Sequence, residues 1–230
     1  MSINARLCPR TSSLVRAKKG VASARDAAVH LSLASSNPSK LKEFRALAAS
    51  AEGMVSVDLQ LFPNFSGVPP FEETAPTLSE NAADKALHYS RFSDLPVIAD
   101  DSGLVVHALG GAPGVRSARY AGPHASSVER IEKLQAEMRA RGSQDRRARF
   151  VCVIALAVLG RVVAVFSDAV EGEILESPRG TGGFGYDPIF LFGPAGKSFA
   201  EMSADEKNRC SHRAKAFRKL ADFFASSPVL

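Results

Sequence analysis

The segment Val97-Ile98-Ala99-Asp100-Asp101-Ser102-Gly103 runs an apolar triplet straight into two carboxylates. It leads on, through Ala108-Leu109-Gly110-Gly111-Ala112-Pro113-Gly114-Val115, into a glycine-rich loop. A short buried strand that delivers paired acids into a glycine-lined opening is a common way to place a divalent cation beside phosphate. Asp, Ser and Gly are also the usual turn residues, so a plain turn after the strand is the structural alternative.

Outward from this segment the chain alternates strand and helix signals. Toward the N-terminus, Val29-His30-Leu31-Ser32-Leu33-Ala34 alternates like a strand, Asn37 offers an N-cap and Pro38 a first helical residue. Leu41, Phe44 and Leu47 then recur at helical spacing. Met54-Val55-Ser56-Val57 reads as a second strand. It runs into proline-rich coil ending at Phe71-Glu72-Glu73-Thr74, after which Thr77 and Glu80 form a capping-box pattern ahead of a helical stretch, Ala82–Phe92. Toward the C-terminus, Ser126 and Glu129 repeat that pattern, with Val128, Ile131, Leu134 and Met138 along one face. Arg149–Leu159 and Val162–Ser167 read as a hairpin joined at Gly160-Arg161, Glu171–Leu175 as a third strand, and Ala214, Phe217, Leu220 and Phe224 as an amphipathic last helix. This alternation predicts an α/β protein with a central mixed β-sheet flanked by helices, in two lobes.

With 230 residues and 45% hydrophobic content, the chain can bury a full core. No apolar run reaches the ~18 residues of a membrane-spanning helix. Cys8, Cys152 and Cys210 are odd in number and widely separated, which argues against a disulfide framework or zinc site and fits a reducing, cytoplasmic setting. The net charge of +5 is not spread evenly. Arg6, Arg10, Arg16, Lys18, Lys19 and Arg25 stand in an acid-free leader, and the rest of the chain is close to neutral. Residues 1–28 are therefore expected to be a basic extension outside the fold, and 29–230 a single domain. The leader reads as a disordered tail or over-extended start, as a transit peptide, or as a nucleic-acid-binding arm. No membrane partner is expected, and nucleic acid is the weakest of the partner readings.

Besides the acid pair, four segments carry chemistry. Ser35-Ser36-Asn37-Pro38-Ser39-Lys40 joins a strand to a helix, where backbone N–H groups and Lys40 favour an anion; a capped helix with a surface lysine would look the same. Glu72-Glu73 is either a solvated loop or part of an oxygen ligand set with Asp100-Asp101. Gly180-Thr181-Gly182-Gly183-Phe184-Gly185-Tyr186-Asp187-Pro188 is either a tight hairpin or a thin loop that presses rings on a planar ligand, with Asp187 reading base-edge N–H groups. In Ser203–Arg213, Lys207 and Arg213 would diverge by about 120° on an unbroken helix. A break near Cys210, with Ser211 capping a second helix, would bring both into one cleft. One carboxylate of the acid pair can take a proton from water, and Ser102 can donate to a phosphate oxygen.

These segments, in this order, closely resemble the inosine triphosphate pyrophosphatase family. The motifs are S-S-N-P-S-K, E-E-T, A-D-D-S-G-L, A-L-G-G-A-P-G-V-R-S-A-R-Y-A-G, G-T-G-G-F-G-Y-D-P and E-K-N-x-x-S-H-R, spread from about Leu31 to Leu220. The chain departs from the family pattern at Ser36, where a glycine is common, and at Pro38, which lies inside the phosphate loop. The resemblance implies an elongated two-lobed α/β fold with an active-site cleft between the lobes, a homodimer and Mg²⁺. It implies hydrolysis of ITP, dITP and XTP to the monophosphate and pyrophosphate. It implies Asp101 as proton acceptor and metal ligand, and Glu72 as second ligand. Ser35, Ser36, Asn37, Pro38, Ser39, Lys40, Ser102 and Lys207 would contact the triphosphate. Phe184, Gly185, Tyr186, Asp187, His212 and Arg213 would form the nucleoside pocket. Hypoxanthine and xanthine carry a 6-oxo acceptor where adenine has an amino donor, so donors such as His212 and Arg213 would separate them. A binding or sensing module that holds the nucleotide without cleaving it is the alternative, and pyrophosphate release separates the two.

Overall fold

The structure, a computed structural model, describes residues 28–35, 37–50, 56–63 and 65–226. The expected extension (apart from Ala28), Ser36 and the Met54-Val55 start of the second strand lie outside the described residues.

Seven strands form one open mixed sheet. β1 (Val29–Leu33) lies between β2 (Val57–Leu61) and β3 (Val97–Val106), parallel to both. β4 (Arg147–Val158), β5 (Arg161–Ile174), β6 (Phe190–Phe192) and β7 (Lys197–Ser198) then add in antiparallel succession. The acid pair is not a turn. β3 continues through Asp100–Gly103 because β4 pairs with it residue for residue, from Val97↔Ala157 to Val106↔Ala148, and satisfies the backbone groups a turn would have left open. Gly103 is there for close approach: a Cβ would lie 2.5 Å from the carbonyl oxygen of Gly114, in the 3₁₀ turn Gly114–Arg119 that lies on β3. Glu171–Ile174 is likewise no separate strand but the end of β5, whose ladder with β4 extends to Arg147↔Glu173.

Among the described residues five α-helices flank the sheet: α1 (Pro38–Ser50), α2 (Leu78–Ser90), α3 (Ser127–Arg141), α4 (Ala204–Cys210) and α5 (His212–Ser226). Alternation along the strands divides the core. Ile98, Cys152, Ile154 and Leu156 face α1 and α5 around Phe44 and Phe217. Val97, Ala99, Val153 and Ala155 face α2 on the other side. A third core gathers Leu104, Val106, Phe150 and Val170 with α3 and β6 around Phe190 and Phe199. Each of these fully buried phenylalanines contributes about 2–3 kcal/mol of apolar burial. The long strands β3, β4 and β5 thus run from one packed region into another, as the expectation of two lobes requires.

Asp101–Gly103 falls between those regions. β1 pairs with β3 only at Ser32↔Val97 and Leu33↔Ile98. The Ala34 amide then donates to the Ile98 carbonyl (2.8 Å) and the chain turns off into α1. From Asp100 onward one edge of β3 has no β1 beside it, and a cleft forms where parallel neighbours part.

Candidate active site

A cavity of about 460 Å³ occupies this cleft, and Asp101, Ser102, Lys40, Phe184, His212 and Arg213 all line it. Asp101 and Arg213 therefore share one crevice.

Successive side chains of β3 point to opposite faces, so the two acids meet different neighbours. Asp100 faces Lys40 Nζ at 3.0 Å and an Arg213 guanidinium nitrogen at 3.5 Å, and it accepts from Ser102 Oγ at 3.1 Å. Burial alone would raise its pKa, but Lys40 and Arg213 outweigh burial and hold the Asp100 carboxyl well below the usual carboxylate range. Asp101 has no such cation in contact, and its Oδ2 is buried without a hydrogen-bond partner. Burial, reinforced by the negative charge of Glu73, pushes Asp101 up to about 6. Asp101 is thus a carboxylate that can take up a proton near neutral pH.

Of the Glu72-Glu73 pair, it is Glu73 and not the expected Glu72 that faces the cavity. In the extended run before α2, Glu72 is exposed and Glu73 turns inward to line the cavity, where it pairs with Lys85 of α2. Arg119 of the 3₁₀ turn donates to the Glu73 carbonyl at 2.8 Å and fixes that segment. Asp101 and Glu73 repel each other, and a cation between them would relieve that repulsion. Among the described residues no three His, Cys, Asp or Glu side chains cluster closely enough to hold a metal alone. Two carboxylates completed by phosphate and water oxygens match the way magnesium is bound in phosphoryl-transfer sites, so the donor set fits that ion.

At the first loop, Asn37 Oδ1 accepts from the amides of Ser39 (3.0 Å) and Lys40 (3.4 Å), and Ser35 Oγ accepts from the Asn37 amide at 3.1 Å. Asn37 therefore caps α1 and uses first-turn donors that were expected for phosphate, which leaves Lys40, Ser35 and Asn37 itself at the cavity. Pro38 is exposed, and Ser39 lines a neighbouring cavity with Lys42 and Glu43.

The break predicted near Cys210 is present. Ser203 and Glu206 form a full capping box on α4, Ser211 takes an extended conformation (φ −65°, ψ 156°), and its Oγ accepts from the Ala214 amide to start α5. His212 and Arg213 thereby enter the first turn of α5, facing the cleft. Lys207 lines the cavity, lies 5.2 Å from the Phe184 ring centroid and ion-pairs with Glu43 (2.8 Å) and Asp187 (2.6 Å). These two carboxylates outweigh the burial cost and keep Lys207 firmly charged. Asp187 is buried and lines the cavity, and its Oδ2 accepts from Lys207 and from the Phe184 amide (2.8 Å), which braces the aromatic loop. Gly183 has no side chain because that carboxylate occupies the space, a Cβ lying 2.0 Å from Asp187 Oδ2. Phe184, Gly185 and Tyr186 line the cavity as expected, and the Phe150 ring stacks on His212 at 4.7 Å. Burial, aided by Arg213 and Lys207, pushes the His212 imidazole well below its usual pKa, so it is neutral at pH 7, with a buried Nδ1 that has no partner.

Two residues of this arrangement escaped the sequence reading. Glu43 binds both Lys207 and Arg213, and Lys85 holds Glu73. Each carried a spacing signal: Glu43 sits one helical turn after Lys40, and Lys85 one turn before the cavity-lining Tyr89.

Residues 31–223 match the model of the Ham1 family. The chain belongs to the Ham1 family. Among relatives, a dITP/XTP pyrophosphatase of Geobacillus kaustophilus is 47% identical over 188 residues, covering 82% of this chain and 90% of the relative. One from Syntrophobacter fumaroxidans is 51% identical over 164 residues, covering 71% of this chain and 70% of the relative. A solved HAM1 protein from Coxiella burnetii superposes with a TM-score of 0.77 at 40% identity, over 86% of this chain and all of that one. As a Ham1 protein this chain carries the family's mixed α/β sheet. Among its described residues no helix is long and apolar enough to cross a membrane.

Proposed function

We propose that residues 29–230 work as one unit that hydrolyses non-standard purine nucleoside triphosphates (dITP, ITP and XTP) to the monophosphate and pyrophosphate. The observation that carries this reading is one cavity joining a partnerless Asp101 carboxylate to an aromatic loop flanked by His212 and Arg213. The dITP/XTP pyrophosphatase relatives support the same substrate class.

In this mechanism the purine lies against Phe184 and Tyr186, with its 6-oxo group toward donors of His212 and Arg213. An adenine amino group there would face donors with a donor, which is the kind of mismatch that gives large discrimination. Lys40 and Ser102 orient the phosphates, and Lys85 keeps the Glu73 carboxylate in place. Magnesium held by Asp101 and Glu73 would neutralise phosphate charge and acidify a bound water. Asp101 accepts the proton of the attacking water, the new P–O bond forms at the α-phosphorus, and the α–β anhydride bond breaks to release pyrophosphate.

A homodimer and a cytoplasmic setting belong to the same proposal, carried by the resemblance to the inosine triphosphate pyrophosphatases. The test is a panel of ITP, dITP, XTP, ATP and GTP with Mg²⁺, with products separated by chromatography. IMP and pyrophosphate from ITP, with ATP turned over at least a hundredfold more slowly, is the expected result. IDP and phosphate, or bound ITP released unchanged, would contradict it.

A further inference from the structure

A 6-oxo group is shared by hypoxanthine, xanthine and guanine, so His212 and Arg213 cannot separate guanine from the other two. The purines differ at position 2: hydrogen in hypoxanthine, an oxo acceptor in xanthine, an amino donor in guanine. Resting on the proposed hydrolysis of purine triphosphates, we infer that Arg130 reads this position, accepting a 2-oxo group and rejecting a 2-amino group.

Arg130 reaches the cavity from α3 and donates to the carbonyl of Ala118, the neighbour of Ser117, whose carbonyl accepts from the Tyr186 hydroxyl at 3.0 Å, which sets Arg130 on the Tyr186 side of the aromatic loop. Lys207 and Arg213 instead lie over the Phe184 ring, at 5.2 and 5.5 Å. The other lysines and arginines that line the cavity, Lys40, Lys85, Lys207 and Arg213, each pair with a carboxylate. Arg130 pairs with none among the described residues. Its guanidinium is nonetheless fixed: Nη1 donates to the Ala118 carbonyl at 2.6 Å and Nη2 to Ser127 Oγ at 3.0 Å, while Nε is buried with no partner.

A guanidinium is always charged and only donates. Anchored at two of its nitrogens, it loses little freedom on meeting a ligand acceptor. Xanthine offers it a 2-oxo acceptor. Hypoxanthine offers nothing and is tolerated. Guanine sets its amino donors against a donor that cannot accept, and both stay unpaired.

The experiment measures kcat/KM for XTP, ITP and GTP, and calorimetric affinities for XMP, IMP and GMP, with the unmodified protein, Arg130→Met, Arg130→Lys and Arg130→Gln. Arg130→Met is expected to lower the XTP-to-ITP ratio about tenfold or more, the scale of one charged hydrogen bond, and to weaken XMP relative to IMP. Arg130→Lys should keep most of that ratio. Arg130→Gln, which offers an acceptor, should raise the GTP-to-ITP ratio, and it carries the test if Arg130→Met fails to fold. Ratios that stay put, or three triphosphates that fall in proportion, would overturn the inference by making Arg130 a ribose, phosphate or loop contact. An unmodified protein that cleaves none of them would instead overturn the parent reading, and that shows before any variant is compared.

Discussion

Alternation along β3 sends Asp100 toward Lys40 and Arg213 and Asp101 toward Glu73. Neighbours in sequence therefore become a permanently ionised structural acid and a carboxyl that titrates near neutrality. For Asp101, burial first and Glu73 second raise the pKa from an ordinary 3.8 to about 6. A raised pKa favours the folded state while the group is protonated, and that contribution is lost as pH rises through the folded value. In metal-free protein, Asp101→Asn should match the parent in urea unfolding near pH 4 and exceed it by about 1–3 kcal/mol at pH 8. A variant less stable than the parent at pH 8 would mean that Asp101 is held by partners and is not poised. Function-first residues commonly cost stability in this way. At this scale the sequence singled out the acids of β3 and the Glu72-Glu73 pair, but not that Glu73 is the one of that pair that faces the cavity. In extended chain the inward residue depends on register, and nothing local sets the register of a proline-rich run.

At the scale of elements, the capping boxes at Ser126/Glu129 and Ser203/Glu206 and the break at Ser211 could be read directly, since side chain and backbone settle them within a few residues. The course of β3 could not. Asp-Asp-Ser-Gly has turn propensity, and only pairing with β4, some fifty residues on, makes it strand. The stretch Glu171–Leu175 was legible as strand but not as the end of β5, for the same reason. Gly103 reads in sequence as a possible turn residue, whereas its role is to admit the Gly114 carbonyl. Gly103→Ala should therefore destabilise the protein by about 1–3 kcal/mol through overpacking against backbone, read as a lower urea midpoint at unchanged m-value. Full tolerance of alanine would show that the 3₁₀ turn gives way freely. The ion pairs of Lys207 with Asp187 and Glu43 could not be foreseen because these partners lie far away in the chain, and a buried cation takes the nearest carboxylates it meets.

For the molecule as a whole, the α/β class and the mixed sheet were legible from alternating strand and helix signals, and six separated motifs were legible as one site only through a family resemblance. What joins them is the passage of β3, β4 and β5 between packed regions, with the acid pair at the crossing and a cavity along the open edge of β3. Charge is balanced locally there, Lys40, Lys85, Lys207 and Arg213 against Asp100, Glu73, Glu43 and Asp187, so Asp101 is the acid left to act. The most direct measurement is pyrophosphate release from ITP with Mg²⁺ by the parent protein and by Asp101→Asn, each shown to be folded by circular dichroism. The account predicts turnover by the parent and a loss of about a thousandfold or more in the variant, the upper part of the range for a proton acceptor that also binds the cation. Turnover within tenfold of the parent would contradict it.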